Sequence, residues 1–180
     1  MLEFKFEDAV LSPEKWFDKA EELKYAADIL LDFEKNRTRF KREYRKNIIV
    51  DTNIYLTSQI IMLNGFAIEN LLKALMCKRN KITIDEKGQV KGLDHDVVSL
   101  AQTLEIDLEK NETVYLEKVF RHIVWEGKYP SPLKKKKFTE EWTTQNINQW
   151  HNTYVRDYDF EIVKVIYNKI LAQVEIELFR

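Results

Sequence analysis

Three histidines, His95, His122 and His151, are the places where this chain could seat proton transfer or metal ligation. An imidazole titrates near neutrality and binds metals through either ring nitrogen. His95 stands between two carboxylates in "GLDHDVVSLAQTL", residues 92–104. A hydrolytic metal centre built on an adjacent His-Asp pair needs further ligands from other helices. No histidine precedes His95, and the other two lie far downstream. The single cysteine, Cys77, has no C-x-x-C partner, and neither H-x-x-x-H nor Glu-x-x-His spacing occurs. Glycine-rich phosphate loops and the G-x-S-x-G nucleophile elbow do not occur either. We therefore expect no metal and no cofactor. The local alternative is a helix start: Asp94 as cap for a helix beginning near His95, Asp96 on the positive end of its dipole, and Leu93 stapled towards Val98.

Arg121 and His122 are adjacent in "VFRHIVWEG". Neighbouring helical residues point about 100° apart, so the two cannot both close on one small substrate. His122 is four residues from Glu126, which could orient its ring. A structural role is the expectation, with acid–base work by His122 or His95 as the alternative. Lys134, Lys135, Lys136 and Lys137 follow each other in "KYPSPLKKKKFTEE", near Tyr129, Phe138 and Trp142. Lysines hold phosphates, and aromatic rings stack on bases, so this segment is the candidate nucleic-acid rim. Equally, it reads as a solvated loop.

The elements that must position these groups are helical. Ser12 as cap and Pro13 as first helical residue open a segment where Trp16, Ala20, Leu23, Ala27, Leu30 and Leu31 recur at three- and four-residue steps. The basic stretch Glu34–Asn47 holds seven basic and two acidic residues, and its pattern allows the helix to continue. A second helix is expected from about Thr52 to Arg79, apolar on several sides and hence central. Asn64, Glu69, Asn70 and Lys73 interrupt it. Glu69 and Lys73 are four apart and can pair. Such polar groups face solvent, line a cleft or meet another subunit. Residues 81–92 read as a small β-hairpin or extended loop. Two further helices follow, in "HDVVSLAQTL" and "NETVYLEKVFRHIVWEG", the latter with Val114, Val119, Ile123 and Val124 as core and Gly127 as its end. The last helix has Ile162, Ile166, Ile170 and Val174 at four-residue spacing.

The fold expected is mainly α: an up-and-down bundle of about five or six helices forming one domain over residues 1–180. Apolar residues at 44% and charged residues at 33% fit a folded globular chain. With 29 basic and 30 acidic residues there is no global pull towards nucleic acid, so any such pull is local. One cysteine suits a reducing cytoplasm. The uncharged run between Asp51 and Glu69 carries too many polar side chains for a bilayer span, so no membrane insertion is expected.

Three pieces together resemble one family. "GFAIENLLKALMCKRN" is similar to the central-helix signature of the HEPN superfamily, with Glu69 and Lys73 at its acidic and lysine positions. "GLDHDVVSLAQTL" resembles the start of the next HEPN helix, with Val97 in place of the usual leucine. "VWEGKYPSP" resembles the W-x-G-R-Y-P-x-P element of bacterial HEPN-like proteins, with Lys128 at the arginine position. The similarity runs from Asn64 to Leu133. It implies a helical bundle, commonly a homodimer, acting in prokaryotic defence, toxin–antitoxin or stress contexts. Many members are metal-independent ribonucleases, marked by an arginine four to six residues before a histidine. No histidine of this chain has that arginine, since Arg121 directly precedes His122. The resemblance therefore implies a non-catalytic module for RNA, a nucleotide or a protein partner, with a cleft at Glu69, Asn70, Lys73 and His95. Its alternative is a ribonuclease with a rearranged site built from His95, Arg121 and His122.

Overall fold

The computed structural model describes residues 5–36, 42–44, 48–50, 56–126, 128 and 157–179. Among these are six α-helices and two short antiparallel strand pairs, a mainly α bundle with a small hairpin. The order is α1 (Phe6–Val10), α2 (Pro13–Asn36), β1 (Arg42–Tyr44), β2 (Ile48–Val50), α3 (Thr57–Lys78), β3 (Thr83–Ile84) and β4 (Val90–Lys91). Then come α4 (Val97–Thr103), α5 (Lys110–Arg121), one π-helical turn (His122–Glu126) and α6 (Asp157–Phe179). The lysines at 134–137, Gly127 and His151 lie outside the described residues.

Ser12 and Pro13 start α2 as their chemistry requires: the Lys15 N–H donates to Ser12 Oγ at 3.4 Å. The helix does not run through the basic stretch. It ends at Asn36, whose side-chain amide donates to the Asp32 carbonyl at 3.0 Å, and β1 pairs with β2 beyond. Tyr44, Ile48, Ile49 and Val50 are β-favouring residue types, which a helical reading of charge alone overlooks.

Helix α3 is the axis of the bundle. It packs against α2, α4, α5, α6 and the π turn. Ile61, Ile68, Leu71, Leu72 and Leu75 are fully buried, and they look in several directions. By length and composition this helix could cross a bilayer, yet 83% of its most apolar window is buried within the protein, as a central core helix requires. Gly65 permits the closest approach. A Cβ there would stand 2.7 Å from Val119 and 2.8 Å from Ile123, so α5 and the π turn lie directly on the α3 backbone.

β3 and β4 form the expected hairpin at 81–92, in register Thr83 with Lys91 and Ile84 with Val90. Gly92 closes it with φ +84°, where a Cβ would meet the Lys81 carbonyl oxygen at 2.3 Å. Only glycine fits that turn. This matters for the next residues, because Gly92 aims the chain into the segment that carries His95.

On α5 the buried stripe is Glu112, Tyr115, Leu116 and Val119, continued by His122 and Ile123. Val114 and Val124 are exposed, contrary to the pattern-based core. Val114 lies one step round the helix from the stripe, and Val124 one step past Ile123 in the π turn. The final helix presents Val163, Ile166, Tyr167, Ile170 and Val174 to the core, with Ile162 half-buried at its edge. Its far end is clipped to α3: Arg79 donates to both Glu177 carboxylate oxygens, at 3.1 and 2.6 Å, and to the Leu104 carbonyl at 2.7 Å.

Candidate functional site

Helix α3 gathers Phe66, Glu69, Asn70 and Lys73 within an arc of about 100°. None of the polar three faces open solvent, since all are buried. Glu69 is the centre. Its side chain is 4% exposed, and its Oε1 accepts from two directions. Lys73 Nζ donates from one turn along the same helix, which is the pairing that the four-residue spacing allows. His95 Nδ1 donates from the segment before α4, across 3.0 Å. A carboxylate only accepts, so Nδ1 carries the proton and Nε2 stands on the far side of the ring. The His95 side chain is 72% exposed. The second carboxylate oxygen, Oε2, is buried without a hydrogen-bond partner among the described residues.

Burying Lys73 with Glu69 strips both charges of water, which is tolerable only when other groups compensate. Trp16 of α2 provides one such group: the ammonium lies 5.3 Å from its ring centroid. The indole is itself held, because Trp16 Nε1 donates to the Val10 carbonyl at 2.8 Å. One turn earlier on the same face of α3, exposed Lys128 sits 5.2 Å from the Phe66 ring centroid. Asn70 does not join the cluster. Its amide donates to the Phe66 carbonyl at 2.6 Å and is spent on its own helix.

His95 is positioned by a cap that differs from the expected one. Asp96, not Asp94, is the N-cap of α4, accepting from Val98 N–H at 3.0 Å and Ser99 N–H at 3.1 Å. Asp94 Oδ1 instead accepts from the His95 and Asp96 amides at 2.6 and 3.2 Å, tightening the turn before the helix. The reason is backbone conformation. Asp96 is extended, at φ −76° and ψ 92°, and helical dihedrals begin only with Val97. The two aspartates thus lock the backbone on either side of His95 while Glu69 fixes its ring.

Arg121 and His122 diverge, as adjacent helical residues must. Arg121 lines a cavity of about 780 Å³ between α5 and α6, with Val114, Tyr115, Lys118 and Asp159. His122 is buried, and its Nδ1 donates to the Lys118 carbonyl at 3.0 Å, so that carbonyl orients the ring. The Glu126 side chain lies outside the described residues. Burial pushes the His122 imidazole down to about 4, with the charges of Lys118 and Arg121 adding to the effect. No hydrogen bond among the described residues joins this pair to Glu69 or His95. The structure therefore brings together Glu69, Lys73 and His95, and leaves Asn70, Arg121 and His122 apart from them.

Two features escape sequence reasoning. Trp16 reads as core from its spacing, although its ring also faces a lysine. The Lys118–Asp159 ion pair, 2.6 Å long and buried on both sides, joins residues of α5 and α6 that no local pattern connects.

No protein-family model matches the chain, and neither a curated protein nor a solved structure matches it.

Proposed function

We propose that this chain is a non-catalytic, HEPN-like binding module, homodimeric and cytoplasmic, that engages RNA or a nucleotide in a prokaryotic defence, toxin–antitoxin or stress setting. One observation carries the reading: a buried carboxylate, Glu69, holds an exposed imidazole, His95, in a single orientation. A ring fixed before a ligand arrives loses little freedom on binding, and its outer nitrogen is available to a phosphate or base edge. Lys128 adds a cation on the same helix face. The lysines at 134–137 extend the positive rim in sequence.

Binding is favoured over cleavage by the state of His122. An imidazole lowered to about 4 is neutral at neutral pH and offers no imidazolium to act as the acid, and its burial separates it from any backbone phosphate. Among the described residues, no hydrogen bond joins His95 to an arginine that would stabilise charge developing on phosphorus.

The test is filter retention of labelled single-stranded RNA by the purified chain at fixed salt. His95→Ala and, separately, glutamine at all four lysines 134–137 should each lower retention, the latter on the order of tenfold through lost phosphate contacts. Retention unchanged in both variants would overturn the reading. The same samples, incubated with EDTA and run on a denaturing gel, should show intact RNA. Cleavage that follows the protein peak and disappears in His122→Ala would establish the ribonuclease alternative instead.

A further inference from the structure

The hydrogen bonds around His95 fix how its ring is turned, and with it the role of the outer nitrogen. Glu69 Oε1 accepts from Nδ1 at 3.0 Å, and the same oxygen accepts from Lys73 Nζ. The ammonium already answers the charge of the carboxylate, so the ring meets Oε1 with one proton, on Nδ1. Such a ring has a lone pair on Nε2 and nothing there to donate. The side chain is 72% exposed, and among the described residues no hydrogen bond reaches Nε2. The site therefore offers solvent one acceptor, aimed before any ligand arrives.

The surroundings have the same sign. Asp94 and Asp96 flank the ring in sequence, the first exposed and the second half-buried. Asp94 Oδ1 takes the His95 and Asp96 amides, and Asp96 Oδ1 takes those of Val98 and Ser99. Asp96 Oδ2 takes the Ser99 hydroxyl at 2.9 Å. The amides nearest the ring are thus spent, and the two carboxylates repel a phosphate.

These facts choose among the groups of a nucleic acid. A phosphate oxygen only accepts, so it cannot meet a lone pair. The donors are the amino and imino groups of the bases and the 2′-hydroxyl of ribose. Adenine and cytosine carry an amino group on the edge far from the sugar. That edge can reach an acceptor without bringing the backbone against Asp94 and Asp96. Guanine has its amino group on the sugar side. The imino N–H of uracil lies between two carbonyl oxygens, which would face Nε2 and the aspartates.

We infer that His95 is a specificity-determining acceptor for the exocyclic amino group of an unpaired adenine or cytosine, held in that role by Glu69. This rests on the RNA-binding reading above and names what the ring selects. Phosphates fall to the cations, of which Lys128 over the Phe66 ring is one.

Filter titrations of the full-length chain with single-stranded RNA, at about pH 8 and so above the ordinary imidazole range, test the assignment. Oligoadenylate is paired with the same strand of purine riboside, which lacks only the amino group. Oligocytidylate is paired with oligouridylate. The unaltered chain should hold the amino-bearing strand roughly two- to tenfold tighter in at least one pair, the worth of one hydrogen bond. Which pair responds tells adenine from cytosine. His95→Ala should lower the affinity for the amino-bearing strand to that of its counterpart, and leave the counterpart unchanged. The replaced side chain is exposed, so the helical circular-dichroism signal should stay as it is. Equal affinities within both pairs would overturn the inference while leaving RNA binding in place. So would a preference that survives in His95→Ala, or a loss in that variant that falls equally on both strands. Both pairs equal, with RNA held above DNA of the same sequence, would give the contact to the 2′-hydroxyl instead. Retention of no strand at all would remove the RNA-binding reading and this inference with it.

Discussion

Glu69→Ala should lower the free energy of unfolding by about 3–5 kcal/mol, because it leaves the Lys73 ammonium buried without its counter-charge. For a domain of this size that is roughly a 10 °C fall in the melting temperature. Trp16 softens the loss without abolishing it, since a ring face offers far less than a carboxylate to a dehydrated cation. The double variant Glu69→Leu with Lys73→Met should regain most of the stability, as apolar side chains of similar volume often replace a buried pair at little cost. Thermal melts of the two proteins at pH 7 separate the contributions. Equal losses in both would mean that shape at this position, not charge pairing, holds α3 to its neighbours. Recovered stability with RNA retention still lost would place Glu69 in the binding site through its hold on His95.

Acidification should destabilise the fold through His122 before it reaches the carboxylates. The folded imidazole lies at about 4, below its ordinary 6.5, because burial penalises the charged form. The unfolded chain therefore binds a proton that the folded chain refuses in this range. Stability is full above about 6.5 and falls as the pH drops from there towards 4, by about 3 kcal/mol in all. His122→Gln should flatten this slope, although the variant starts less stable at pH 7 where the ring fills the core. Glu177 and Glu14 act lower. Arg79 beside Glu177, and the backbone amide and Ser12 at Glu14, hold these carboxyls below their ordinary 4.5. Their contributions disappear only as the pH falls below that value. Urea titrations between pH 7 and 5 isolate the histidine: an unaltered slope in His122→Gln would show that the ring reaches solvent when folded.

Much of the bundle is legible from local spacing. The presence of α2, α3, α4, α5 and α6 and the start of α2 follow from periodicities of three and four residues and from Ser12-Pro13. By contrast, α3 begins at Thr57 rather than Thr52, and α4 at Val97 rather than near His95. A helix with apolar residues on several sides must be central. The Glu69–Lys73 pair is equally legible, because both partners lie one turn apart on one helix. The hairpin at 81–92 is announced by two alternating isoleucines and two glycines. What spacing alone misjudges is any choice between near neighbours. Asp94 and Asp96 are equal as caps until the backbone turns helical at Val97. Val114 and Tyr115 are both apolar, and the neighbouring helices decide which is covered. The end of α2 at Asn36 depends on β1 finding β2, a pairing that the run of basic charge conceals.

The site divides the same way. Its acid and its lysine belong to one helix and can be named from the sequence. The contact that makes them a site does not, because His95 lies 26 residues from Glu69 and reaches it only when Gly92 turns the chain and α4 docks on α3. Trp16 and Lys118–Asp159 are decided likewise by packing between helices distant in sequence. Local chemistry determines which helices form and which faces they offer. Burial of those faces against one another determines which charges meet, since a buried charge is stable only where the rest of the chain has brought it a partner.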